Sequence, residues 1–289
     1  MDLTKDFVKT KRPCTDGFRW FVRHYQDGSN YQELLDALVA AGRIGDACWL
    51  LDQFGPSDGV RVLDDVDADA IVFAGTLEVR GNIDVAGIVR TGRDIRAGGG
   101  VRAGEALIAG GELRVAGGIR AGDRIEAGGD IRVGWGIEAS GDVRGGGDLR
   151  AGWDVHCGGV LELAGNAFVG GDLRAEGELR CGKGVQAGGD VCAAGLRTGH
   201  GIVAGRSICS AMHIEAGWGV KAGEAIAADG AIRAGESLEA GGEIRAGAGY
   251  GVFAGLDVHV QAWKASARVS ACRKPAGLMS GWWAGRATP

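Results

Sequence analysis

What the 289-residue sequence lacks narrows the reading first. No apolar run approaches the roughly 18 residues that a spanning helix requires, and the opening Met1-Asp2-Leu3-Thr4-Lys5-Asp6 does not read as a secretory signal. Seven cysteines are scattered without a C-x-x-C pair, so neither a disulfide framework nor a zinc motif is expected, and a reducing cytoplasm is the expected location. A net charge of −5 and a pI of about 5.6 make the whole protein a poor general DNA binder, since phosphate affinity needs a clustered positive face. No metal or cofactor is expected.

What the sequence has in excess is glycine, and it is periodic. A six-residue phrase recurs, as in Ile95-Arg-Ala-Gly-Gly-Gly, Ile119-Arg-Ala-Gly-Asp-Arg and Ile232-Arg-Ala-Gly-Glu-Ser. Its aliphatic position runs in steps of six from Ile71 to Val191, with Ala167 the single exception. A five-residue unit, Val191 to Gly195, shifts the frame before Leu196 carries it on to Ile244, and Tyr250-Gly251 precede Val252 and Val258. With Val60 and Val66 this makes 34 units.

The residues before and after the aliphatic one are usually charged, and the second residue after it is small and usually Ala. This is the alternation of a short strand, with glycine supplying unusual backbone angles and close approach at a corner. A short fixed period is the mark of a solenoid. The expected fold is mainly β: a triangular parallel β-helix of six-residue repeats, 18 residues to the turn and about 11 coils, with a small N-terminal α-helical domain. Arg96, Arg114, Arg132 and Arg150 then form one outward column, and Asp94, Glu112, Asp130 and Asp148 form another beside it. Alternating columns of this kind read as register control.

Residues 1–56 have little glycine and helical spacing. Thr15 or Asp16 can cap a helix over Gly17–Tyr25, and Ser29 with Gln32 forms a capping-box pattern for Asn30–Ala41, with Leu34, Leu35, Leu38 and Val39 on one face. A third helix holds Ala47, Cys48, Leu50 and Leu51 and stops at Gly55-Pro56. Covering the first coil is the plain role for such a segment. Cys14-Thr-Asp-Gly17-Phe-Arg-Trp20-Phe and Asp46-Ala47-Cys48-Trp49-Leu50-Leu51 resemble a small helical module of uncharacterised phage and prophage proteins, sometimes found ahead of repeats. That resemblance, over residues 14–51, implies a mobile-element origin and names no activity. The repeats resemble bactofilin-type polymer-forming β-helices and, more distantly, hexapeptide-repeat acyltransferases.

The acyltransferase likeness departs at identifiable places. That family's small residue is fifth in the hexad, whereas here it is third, and none of the histidines at 24, 156, 200, 213 and 259 lies beside an extended loop. Gly134-x-Gly136-x-x-Ala139 and Gly217-x-Gly219-x-x-Ala222 match a dinucleotide fingerprint only formally, because no βαβ unit surrounds them. His156 and Cys157 point to opposite sides of a strand, and Cys157 and Cys181 fall at inward small positions.

What breaks the pattern is aromatic or basic. Trp135 and Trp153 share one hexad place on successive turns, which sets one above the other, and Trp218 takes the equivalent place at another corner. After Asp257 there is no acidic residue, and Lys264, Arg268, Arg273, Lys274 and Arg286 surround Trp282-Trp283. The expected organisation is a helical cap or binding domain (1–56), a β-helix (57–263) and a basic tail (264–289). The expected function is non-enzymatic: stoichiometric binding to a host or defence protein complex, with inhibition as its concrete form and Trp135, Trp153, Trp218, Trp282 and Trp283 as the contacts. A bactofilin-like end-to-end polymer is the alternative and an acyltransferase the third reading. Nucleic acid is expected only through the tail, and no membrane is expected as a partner.

Overall fold

The computed structural model describes residues 2–25 and 29–286; residue 1 and residues 26–28 of the N-terminal segment, and 287–289 of the tail, lie outside the described residues. The chain is mainly a parallel β-solenoid with a small N-terminal helical region. Most strands are three residues long, with the first and third residues buried and the middle one outward, as in Ile95–Ala97 and Ile119–Ala121. Because successive side chains of a strand alternate in direction, one Ile, Leu or Val and one small residue enter the core from each strand.

The strands stack in three faces. Thirteen strands make the first, from Val60–Leu63 to Trp282–Gly285. The second, through Ile83–Val85 and Ile119–Ala121, and the third, through Val89–Thr91 and Ile125–Ala127, join into one 21-stranded ladder. They join because Leu173–Cys181 and Val191–Thr198 run around the corner between them without a break. On the first face Ile95 pairs with Leu113, Leu113 with Ile131, and Ile131 with Leu149, so three hexads complete one turn. The rod has 13 turns, and at ~4.8 Å between strands it is about 60 Å long.

The two turns beyond the expected 11 come from the C-terminal end, where Arg268–Ser270 and Trp282–Gly285 join the first face, and at both ends the hexad fades. Val60 does not enter the core: it is 58% exposed and pairs with Thr76, while Arg61 stands opposite Leu77. Val258 lies outside any strand, since the chain leaves the rod after Phe253 and makes a short helix at Trp263–Ser266. Val269 then takes the place opposite Leu238. The 264–286 segment thus returns to the stack: Leu278–Ser280 pairs with Val252–Phe253, and Trp282–Gly285 with Arg268–Ser270.

The glycines act by close approach. A Cβ at Gly128 would lie 2.2 Å from the Gly110 carbonyl oxygen of the coil beneath. Among the described residues, the left-handed glycines are Gly42, Gly55, Gly249, Gly255, Gly281 and Gly285, all outside the regular corners, so unusual backbone angles are not what the repeats demand.

Among the described residues, four helices precede the rod: α1 (Lys5–Thr10), α2 (Thr15–His24), α3 (Tyr31–Ala40) and α4 (Ile44–Phe54). The caps differ from the expected ones. Cys14 Sγ, not Thr15 or Asp16, accepts the Gly17 N–H at 3.2 Å, and Asn30, not Ser29, accepts from Gln32 N at 3.0 Å. Gly55 ends α4 with φ 76°, a conformation glycine adopts without a Cβ penalty. Leu34, Leu35, Leu38, Ala47, Leu50 and Leu51 form the helical core.

That core also contains Val72 and Ala74 of the rod. Val72 stands where later coils of the same face put Arg90 outward, and it is buried because α3 covers it. Gln32 completes the junction. One coil on, Gly92 gives its N–H to Phe73 O of the coil beneath; Ala74 begins this face and has no such coil, so the Gln32 amide oxygen accepts its N–H at 2.9 Å. The Gln32 Nε2 donates to Val72 O at 3.2 Å. The side chain expected to close a capping box therefore closes the sheet edge.

Candidate interaction surface

The corners carry a carboxylate ladder. Asp94 Oδ1 accepts the backbone N–H of Glu112 at 2.9 Å, and the same bond recurs from Asp148 to Asp130, Val160 to Asp142, Asn166 to Asp148, Asp172 to Asp154 and Asp190 to Asp172. These N–H bonds hold the carboxyls of Asp148 and Asp172 below the usual carboxylate range, against the smaller effect of burial. Each ladder carboxylate fills the space above its own corner. A Cβ at Gly147 would lie 2.0 Å from Asp130 Oδ1, and one at Gly171 would lie 2.0 Å from Asp154 Oδ1. Glycine therefore stands immediately before the residue whose N–H a ladder Asp accepts, Arg206 before Ser207 excepted.

This rule accounts for the tryptophans. In the coil beneath Trp135, Trp153 and Trp218, the ladder position is held by Gly118, Gly136 and Gly201, so no carboxylate fills the corner and a side chain can stand there. Arg206 is tolerated after Asp190 because its guanidinium bonds Asp172 and Asp190, both at 2.8 Å. Lys183, after Asn166, is an exception that the rule does not explain.

Trp135 and Trp153 occupy the same corner on adjacent coils, with Trp153 N donating to Trp135 O at 3.2 Å. They are 66% and 69% exposed, so neither ring covers the other. Gly136 and Asp154, which follow them in the chain, line an open groove of about 790 Å³ together with Gly100, Gly118, Arg102, Arg120 and Glu138. Arg120 pairs with Glu138 at 2.6 Å. Trp218 is at the corner leading into the first face, stacked on His200 at 4.0 Å. Trp282 and Trp283 are at the far end and point to opposite sides of their strand. Trp283 packs against the core in register with Val269, while Trp282 lies outward under Lys264, whose Nζ is 5.0 Å from the ring centroid. The structure therefore brings Trp135 and Trp153 together and separates the other three.

The outward charges are largely paired. Arg96 bridges Glu78 and Asp94 at 2.7 and 2.9 Å, Arg132 reaches Glu112 and Asp130, and Arg150 reaches Asp148 at 3.1 Å. In the tail, Arg273 pairs with Glu243 at 2.9 Å. Burial pushes the thiols of Cys157 and Cys181 up to about 12, so both stay protonated and act as small core residues. Among the described residues, no three His, Cys, Asp or Glu side chains gather as a metal site, and no helix is long and apolar enough to cross a membrane.

A disulfide joins Cys192 and Cys209, outward residues of neighbouring coils on the second face. Sequence reasoning missed it because the five-residue unit shortens this turn to 17 residues. Counting coils through the frame shift would have placed the two residues side by side.

The helical motif residues converge as well. Cys14, Gly17, Trp20, Asp46 and Trp49 line one cavity of about 190 Å³ among the four helices, with Val8 of α1 and Leu34 and Leu38 of α3. Cys14 Sγ lies 3.6 Å from Asp46 Oδ1, Asp46 accepts from Arg43 Nε at 2.6 Å, and the Arg43 guanidinium lies 5.9 Å from the Trp20 ring centroid. The motif therefore fixes one helix on another.

Fold and surface define a parallel β-solenoid fronted by a helical module. Residues 1–54 match the family model of the YdhT N-terminal domain, which covers a little under a fifth of the chain. Searches of curated proteins and of solved structures found no match.

Proposed function

We propose that this chain is a non-enzymatic, cytoplasmic protein-binding solenoid of phage or prophage origin, acting by stoichiometric binding to a host or defence protein complex and inhibiting it. The observation that carries this reading is the pair of exposed indoles, Trp135 and Trp153, on one corner beside an open groove. Tryptophan is enriched in the few interface residues that supply most binding energy. Elsewhere the outward surface consists largely of short paired charges, which favour solubility and register over recognition. Trp218, Trp282 and Trp283 are subordinate candidates, and Trp283 contributes through the end of the rod. The bactofilin-like polymer is less well supported, because the helical module packs on the first coil and Gln32 occupies its edge.

The test is affinity purification from a bacterial lysate with wild type and with Trp135→Ala/Trp153→Ala. A partner retained at defined stoichiometry by wild type and lost by the double variant is expected. Equal retention by both would refute the assignment of this corner, and filaments of the purified protein in electron micrographs would favour the polymer.

A further inference from the structure

The outward column of the second face is built of long polar side chains except in one window. Reading along the stack it runs Arg102, Arg120, Glu138, His156 and Arg174, then Cys192, Cys209 and Ala227, and returns to Arg245. Ala194 and Ala211 beside the window are also small, and together these residues leave an open depression of about 580 Å³ over the disulfide. Both cysteines are half-buried at outward positions, unlike Cys157 and Cys181, which face the core. The backbone ladder already pairs Val191 with Ile208 and Ala193 with Ser210, so the two residues are held together without the sulfur bond.

We propose that Cys192–Cys209 is a reversible disulfide and dithiol site that exchanges with small thiols from solution. The inference is independent of the protein-binding reading. Exchange requires attack in line with the sulfur–sulfur bond, which here bridges neighbouring coils. On the Cys192 side the next coil carries Arg174, held by Asp172 at 3.3 Å; on the Cys209 side the same column position is the small Ala227, with Asp229 and Arg245 farther out on the lining of the depression. The incoming thiolate therefore attacks Cys209 Sγ. A new bond forms between the small thiol and Cys209, the Cys192–Cys209 bond breaks, and its electron pair leaves on Cys192 Sγ, which takes a proton from water. A second small thiol then attacks the mixed disulfide, releasing the oxidised small disulfide and a free Cys209 thiol. Two electrons pass from two small thiols to the protein. Arg174 beside Cys192 favours the thiolate that leaves.

The experiment treats the full folded chain with reduced glutathione, quenches with acid, and maps adducts by peptide mass spectrometry while circular dichroism follows the fold. The expected result is an adduct on Cys209 with a free Cys192 thiol and an unchanged spectrum. Ala227→Arg, a residue type found at Arg102, Arg120 and Arg245 of the same column, should slow exchange by at least about tenfold, and Ala227→Ser should not. The proposal is overturned if adducts appear equally on Cys192, if Ala227→Arg exchanges at the wild-type rate, or if reduction occurs only where denaturant unfolds the chain. Cys192→Ser/Cys209→Ser should melt within a few degrees of wild type; a double variant that does not fold would show a structural staple and sink the idea.

Discussion

The helical module and the rod bury their cores in opposite ways. In the module each buried residue has one set of neighbours, and the motif residues Cys14, Gly17, Trp20 and Asp46 are used up in fixing α2 on α4. In the rod the same small set of contacts is repeated, so one coil says little and departures say most. Arg206 excepted, a ladder Asp is met by a glycine at the corner one coil on, and the rod's corner tryptophans stand where the Asp is missing. The difference teaches that recognition in the module would have to use its fold residues, whereas the rod can add recognition residues at corners that its ladder leaves open.

The largest expected effects test whether the two cores are separable. Leu35→Ala and Ile131→Ala each remove a fully buried side chain and should each cost ~2–5 kcal/mol. Hydrogen exchange should show Leu35→Ala exposing amides of α2, α3 and α4 while central coils stay protected, and Ile131→Ala exposing the coils around 113–149 while α3 stays protected. Loss of protection across the whole chain in either variant would show a single cooperative unit and end the comparison.

Gly147→Ala sharpens the ladder rule. The added Cβ meets Asp130 Oδ1, and the overpacking should cost ~1–3 kcal/mol, read as a lower denaturant midpoint. In an Asp130→Gly background the same substitution should cost much less. Equal costs in both backgrounds would mean that the carboxylate is not what makes glycine necessary.

Much of this was legible in sequence, because every hexad repeats one chemical pattern and the columns of Arg and Asp follow from counting three hexads to the turn. The rod's ends were not, since Arg61, Val269 and Trp283 stand in core register without the hexad around them. Gln32 was assigned to a local cap because a one-dimensional pattern cannot show that Ala74 lacks a coil beneath it. The tryptophan corner was visible as an anomaly, but its cause lay one coil earlier, in glycines that look like every other glycine of the repeat.

Gln32→Leu tests the junction between the two regions. It keeps the side chain's bulk but leaves Ala74 N–H and Val72 O without their partners, which should cost ~1–3 kcal/mol, with α3 and the first coil fraying together in hydrogen exchange. Gln32→Glu retains an acceptor for Ala74 N–H and loses the donor to Val72 O, so its effect should fall between wild type and Gln32→Leu. Unchanged protection of Val72–Ala74 in Gln32→Leu would show that apolar packing alone holds the module on the rod.

The smallest effect concerns the ladder's charge. The folded-state pKa of Asp148 is lowered chiefly by the Asn166 N–H, so its stabilisation is fully present above the unfolded carboxyl value, near 3.9, and is lost as pH falls through the lower folded value. Asp172 behaves alike, through the Asp190 N–H. Asp148→Asn can still accept from Asn166, as Asn82 accepts from Gly100 at 2.8 Å, but it loses the exposed pair with Arg150. At pH 7 the variant should therefore lose less than ~1 kcal/mol. Between pH 5 and about 2.5 its melting temperature should fall less than that of wild type, because one depressed carboxyl no longer titrates. Parallel decline of both proteins over that range would mean that the ladder's hydrogen bonds hold the corners without help from its charge.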